Sequence, residues 1–275
     1  MQLGIFTKVW PPGDLDATLR LMTGYDLRHT QFNLACVLPD TLPEHISPET
    51  IQSVWASLAR HGVEMDAISG TFNLIHPDPA FVAAGLRRLA VLAAACHALG
   101  TEVITLCTGT RDPDNMWRGH PDNAGPDAWR ALLGALERAL LIAEAADVCL
   151  AVEPEQANVV DSARKARTLL DYFGTRRLKI IMDPANLFER AASAEIARTV
   201  AEAFDLLGPD IVLAHAKDRD AQGRFVAAGQ GVLDYDHYLG QLRRIGFDGA
   251  LVLHGLTPTE VAPCVRFLRS KLDRA

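Results

Sequence analysis

The sequence predicts one (β/α)8 barrel over residues 1–275, with its functional site at the C-terminal ends of the strands. Three observations carry that expectation. Eight short apolar runs alternate along the chain with amphipathic, helix-forming stretches. Four metal-capable side chains, Glu153, Asp183, His215 and His254, close four successive runs at intervals of 30, 32 and 39 residues, each the length of one strand-plus-helix unit. The chain, at 275 residues, is close to the usual length of such a barrel, about 250 residues in one domain. An open, doubly wound sheet is the rival, but no G-x-G-x-x-G follows the first run, as a dinucleotide site would require.

The elements follow in order. LGIFTKVW (Leu3 to Trp10) is the first strand, and Asp14 opens the first helix. LRHTQFNL is the second; Ser47 then caps a helix with Pro48 at its first position and Glu49 in its first turn, closed by Gly62. VEMDAISGT begins the third unit, whose helix runs from about Phe81 to Leu99 with Gly100 as its left-handed terminator. EVITLCTG is the fourth strand. The insertion after it, TRDPDNMWRGHPDNAGPD, exceeds the usual two to six residues or so of a strand-to-helix loop, so it reads as a lid or as disorder. The helix beyond starts near Asp127.

VCLAVEPE is strand five, followed by a helix capped by Asp161 or Ser162 and ended by Gly174. LKIIMDPAN is strand six, with Ser193 expected to cap the next helix, which ends near Gly208. IVLAHAKD is strand seven; a Gly-rich turn, GRFVAAGQGVLD, leads to the helix DYDHYLGQLRRIG. GALVLHGL and the amphipathic PTEVAPCVRFLRSKLD complete the eighth unit.

Composition narrows the partners. A net charge of −7 with no basic run argues against a nucleic-acid partner. The five cysteines form no C-x-x-C pair, and their spread suggests reduced, buried thiols and a cytoplasmic home. MQLGIFTKVW lacks the apolar stretch of a secretion signal, and LAVLAAACHALG is too short to span a bilayer, so no membrane partner is expected. A homo-oligomer is compatible with all of this.

The constellation itself points to chemistry. Two carboxylates and two imidazoles converging on one barrel rim suit a single divalent ion: Mn, Co, Mg, Fe or Zn. An acid that terminates a buried strand needs a partner, which a rim arginine or a metal can supply. Asp183 before Pro184 could instead start a turn, and a lone histidine in an apolar run is more often a packing residue. Four equivalent placements favour the metal for Glu153, Asp183, His215 and His254. His254 could alternatively shuttle protons.

Lys217, two residues beyond His215 on the same strand face, could stabilise an enediolate or pair with a nearby aspartate. Glu155, Asn186, His76 after strand three, and Trp117 in the long insertion are expected substrate contacts, with His120 beside Trp117 as a further loop residue. GQG (Gly229 to Gly231) could offer backbone N–H groups to an anion.

The stretches SGTFNLIHPD, AVEPE, IIMDPANLF, HAKD and GQGVLDYDHYLGQLRRIGFDGALVLHGL resemble the xylose isomerase-like TIM-barrel superfamily, in particular its sugar phosphate isomerase/epimerase group. The resemblance covers nearly the whole chain and is most specific over residues 148–256. It implies a divalent metal held by Glu153, Asp183, His215 and a residue of strand eight, and isomerisation or epimerisation of a keto-sugar, sugar phosphate or related polyol. The expected roles are Glu153 as the base that removes a proton and His254 or Lys217 as the group that returns it or stabilises the enediolate.

Two departures stand out. The family usually ends strand eight with a glutamate that is both ligand and second base, where this chain has His254; it often has histidine where Asn186 stands. A metal-dependent polyol dehydratase or lyase, or a non-catalytic sugar-binding barrel, are therefore the alternatives. The related apurinic endonucleases carry D-x-H after strand seven. This chain has DRDAQGR there.

Overall fold

Short, largely buried runs form β1 (Gln2–Phe6), β2 (His29–Phe32), β3 (Glu64–Ser69), β4 (Val103–Cys107), β5 (Cys149–Glu153), β6 (Leu178–Met182), β7 (Ile211–Arg219) and β9 (Ala250–Leu253). These coordinates are a computed structural model that describes residues 1–273; Arg274 and Ala275, within the expected domain boundary, lie outside the described residues. Each of the eight strands pairs in parallel with the next; β7 joins β9 and β9 returns to β1, so the barrel closes. One short strand lies outside this ring. β8 (Phe225–Ala227) pairs antiparallel with the end of β7, making a hairpin of the segment read from sequence as a Gly-rich turn.

Eight helices surround the barrel: α1 (Leu15–Gly24), α2 (Pro48–His61), α3 (Pro79–Leu99), α4 (Pro126–Ala146), α5 (Ala163–Phe173), α6 (Ser193–Leu207), α7 (Tyr235–Arg244) and α8 (Val261–Leu272). Their ends follow local chemistry. Asp14, Ser47, Asp78, Ser162 and Asp234 each cap a helix by accepting a backbone N–H from its first turn. Gly62, Gly100 and Gly174 terminate α2, α3 and α5 in the left-handed conformation. Ser193 does not cap α6. It is the first helical residue, and Ala192 stands before it with no side-chain acceptor.

Helix α3 extends well beyond the apolar core seen in sequence. Its 21 residues are long and apolar enough by length and composition to cross a membrane, but it packs between α2 and α4 over β4 as one member of the helical ring.

Strand alternation explains how the site is placed. The barrel axis is filled by Ala67, Ala151, Ile181, Leu213, Ala250 and Val252, which form their own small apolar cluster. Side chains two residues apart share a face. Ala151, Ile181, Leu213 and Val252 therefore project Glu153, Asp183, His215 and His254 inward, one layer higher. Register aligns Asp183 with His215, since Met182 pairs with Ala214, and sets His254 beside Lys217, since Ala216 pairs with Leu253. The axis is apolar below and ionisable above.

Candidate active site at the strand termini

Asp183, His215 and His254 each offer a ligand atom, and the three atoms lie within 4.8 Å of one another. Glu153 adjoins them, its Oε1 3.3 Å from His215 Nδ1. Asp183 Oδ1 accepts the backbone N–H of Ala185 at 3.0 Å, which closes the short turn begun by Pro184. Asp183 Oδ2 is buried and receives no hydrogen bond. Lys217 Nζ lies 3.0 Å from it, at ion-pair distance but outside hydrogen-bond geometry, and donates to Asn186 Oδ1 at 2.9 Å. Asn186 in turn donates to Glu153 Oε1 at 2.6 Å. It therefore orients two site residues as well as lining the cavity.

The tautomer of His215 is set from beneath. Gln31 Nε2 donates to Ser69 Oγ and Thr105 Oγ1, both at 3.2 Å, which leaves its Oε1 to accept His215 Nε2–H at 2.8 Å. Nδ1 then faces two carboxylate oxygens, Glu153 Oε1 at 3.3 Å and Asp183 Oδ2 at 3.6 Å. A lone pair cannot face two anions without a cation between them. A proton or a metal ion must supply the charge.

Electrostatics agree. Burial disfavours a charged His215, yet Glu153 and Asp183 outweigh it and push the ring up to about 9. Burial likewise opposes ionisation of Asp183, but Lys217 and His215 hold its carboxyl well below the usual range. His254 goes the other way: burial, then His215 and Lys217, keep its imidazole neutral far below its ordinary value. Its half-buried ring lies between Phe6, at 5.0 Å, and His215, at 4.6 Å, and its Nδ1 is enclosed without a partner. An unpartnered imidazole nitrogen of His254, an Asp183 oxygen held only by the Lys217 ammonium, and His215 Nδ1 thus converge. That donor set, two imidazole nitrogens and two carboxylates, fits a divalent cation.

Above the cluster lies a cavity of about 540 Å³. Glu153, Glu155, Asn186, Lys217, His254 and Trp117 all line it. Burial, and then the Glu153 charge, push Glu155 up to about 7. His76 stands apart. It lies outside this cavity, donating from Nε2 to the Pro113 carbonyl at 3.0 Å and accepting the Asp78 N–H at Nδ1.

The insertion that carries Trp117 is ordered. The Asp112 carboxylate accepts from the Asp114 and Asn115 amides and binds Arg118 in a fork; Asn123 accepts from Arg111 N and donates to the Ala157 carbonyl. His120 caps a short turn there. The GQG segment binds no outside anion through its amides, because Gly229 and Gly231 donate to Asp218 Oδ2. A Cβ on Gly231 would meet the Arg219 carbonyl at 2.1 Å, so the approach needs glycine.

Sequence reading passed over Gln31, Phe6 and Phe225. Gln31 carried a signal, being an amide within a strand buried on both faces. Phe225, by contrast, reaches the site only through the unforeseen hairpin, where Lys217 and Arg219 lie over its ring at 4.0 and 3.8 Å.

Over residues 30–270 the chain matches the family model of the xylose isomerase-like TIM barrel, and it belongs to that family. A D-tagatose 3-epimerase-like protein has the same fold, with a TM-score of 0.79 at 16% identity over 99% of this chain and 97% of that one. The IOLI protein with a binding zinc atom gives 0.75 at 16% identity, covering 99% and 96%. The 3-keto-D-glucoside 4-epimerase of E. coli gives 0.73 at 15% identity, covering 99% of both chains. At these identities the likeness is one of fold. No curated protein matches by sequence.

Proposed function

We propose that this barrel is a divalent-metal-dependent isomerase or epimerase that moves a proton next to the carbonyl of a keto-sugar, sugar phosphate or related polyol. One observation carries the reading. His215 Nδ1 faces Glu153 and Asp183, His254 Nδ1 is buried without a hydrogen-bond partner, and Asp183 Oδ2 has only the Lys217 ammonium beside it, so the four side chains turn their donor atoms toward one point. The epimerases among the structures of like fold, and the zinc atom in one of them, are in keeping with it.

Glu153, Asp183, His215 and His254 would hold the ion, which when bound supplies Lewis-acid polarisation of the substrate carbonyl. The remaining work falls to the chain. Glu153, at the cavity floor and oriented by Asn186, takes the proton from the carbon beside the carbonyl. Lys217, buried and cationic because Asp183 and Glu153 outweigh its desolvation, places positive charge where the enediolate forms. Glu155, pushed up to about 7, can exchange a proton with a substrate hydroxyl near neutral pH. Trp117 and Phe225 wall off the mouth.

The family's second strand-eight carboxylate is absent. Return of the proton on the opposite face then falls to Lys217, because a neutral His254 has no acidic proton to give, or the same Glu153 returns it to a neighbouring carbon. The test is deuterium uptake in D₂O by D-fructose, D-tagatose and L-ribulose with the Mn²⁺-loaded protein. Uptake beside the carbonyl of at least one sugar is expected, and binding without exchange would convert the reading to a sugar-binding barrel.

A further inference from the structure

A second cavity, about 480 Å³, opens beside the first. The two share Thr41, Thr71 and Met116 on their walls, so they form one cleft across the barrel mouth. Their positions divide the rim. The candidate ligands sit at the ends of β5, β6 and β9 and midway along β7, while the second cavity is walled by the loops that follow β2, β3 and β4 and by α3. A ligand spanning both would cross the mouth from one side to the other. Each half alone is of ordinary small-molecule size, in a range of about 300–1,000 Å³, so a single hexose leaves the second half unfilled.

The second half carries an aromatic platform. Phe81 is 58% exposed and stacks on His76, with ring centroids 4.3 Å apart and planes 20° apart. His76 is itself pinned through both ring nitrogens, to Pro113 and Asp78, so the pair is fixed in place. An exposed phenylalanine alone is ordinary. This one is held flat at a cavity wall, with Asp40, Arg88, Asp114 and Asn115 around it.

An apolar plane ringed by hydrogen-bonding groups matches a sugar ring, which is apolar on its C–H face and polar around its edge. A strongly anionic ligand fits less well, because Arg88 Nη2 is already paired with Glu44 at 3.0 Å and two of the flanking groups are acids.

We infer that the cleft takes a keto-sugar carrying a second, uncharged glycosyl unit, the ketose over the strand-end cluster and the added ring on Phe81. This rests on the keto-sugar reading above and names its substrate class. It also gives His76 a role distinct from the one expected of it, supporting the platform and not the reacting carbon.

The test compares D-fructose with maltulose, turanose and isomaltulose, which carry a glucosyl group on different hydroxyls of fructose. Each is titrated into the Mg²⁺-loaded protein by calorimetry, in parallel with proton exchange in D₂O. At least one disaccharide should bind about fivefold or more tighter than D-fructose, the scale of one aromatic contact. Phe81→Ala should erase that gain and leave D-fructose binding unchanged, while Phe81→Trp should retain it. The proposal is overturned if no disaccharide binds more tightly than D-fructose, or if the gain survives Phe81→Ala. The two readings fail separately. Tighter binding without exchange removes the proton-transfer chemistry and leaves the subsite, whereas exchange of D-fructose with no tightening removes the subsite alone.

Discussion

His215 and His254 stack face to face across neighbouring strands, ring centroids 4.6 Å apart and planes 9° apart. The geometry gives the two imidazoles opposite electrostatic fates. His215 lies against Glu153 and Asp183, which favour its charged form, while burial, and then the His215 and Lys217 charges, keep His254 neutral. A neutral ring with an enclosed, unpartnered Nδ1 is suited to ligation.

Placing a carboxylate at His254 is the first test. His254→Glu is expected to keep metal bound with near-parent thermal stability, and to raise proton exchange by supplying a second base at the rim. If His254 were a packing residue, the change would bury an unpaired carboxylate and destabilise the fold by several kcal/mol, on the order of 1–5, with metal affinity unaltered. Thermal melts and a metal titration of this variant separate the outcomes.

Glu153→Gln preserves shape and the hydrogen bond from Asn186 while removing charge and basicity. Exchange of the most responsive ketose should fall by about 10²–10⁴. A rate within about threefold of the parent would withdraw Glu153 from the role of base.

Gln31 acts through His215. Gln31→Leu removes the acceptor of Nε2–H and frees the other tautomer, so metal affinity should drop by about 10–100-fold, the usual loss when a ligand's orienting partner goes. The ¹⁵N shifts of His215 in the metal-free parent and variant check the cause directly. Unchanged affinity would assign Gln31 to packing.

The Asp112–Arg118 pair tests the loop that carries Trp117. Arg118 holds the Asp112 carboxyl well below the usual range, and the amides of Asn115 and Asp114 add to this. A depressed folded value means that the contribution is present above the unfolded pKa, about 3.9, and is lost as pH falls through the folded one. Trp117 fluorescence, taken as the difference from Trp117→Phe, should therefore stay constant as pH falls through 4 or so. In Arg118→Ala the transition should move up toward that pH. Identical profiles would show that the pair does not anchor the loop.

The barrel and the inward face of its four candidate ligands were legible because strand alternation and buried runs are local properties. Ala151, Ile181, Leu213 and Val252 mark the inward face two residues before each ligand, and the 30-to-39-residue rhythm shows in the chain itself. What escaped depends on non-local pairing. The β8 hairpin needs the end of β7 as its partner, so Phe225 could not be placed over Lys217. The GQG amides looked free for an anion because nothing in sequence says that Asp218 folds back onto them. His76 followed a strand like the others, but the loop after β4 claims its ring through Pro113. Ser193 resembled a cap in every local respect, yet the helix begins at that residue.

Titration of Mn²⁺ or Zn²⁺ into the metal-free protein decides whether Glu153, Asp183, His215 and His254 hold an ion. One tightly held ion per chain is expected, with affinity that weakens as pH falls because protons compete for the histidine rings, and a rise in melting temperature with added metal. The double variant Asp183→Ala with His215→Ala should lose both the ion and the thermal shift. Stoichiometric metal retained in that variant would contradict the assignment of the site.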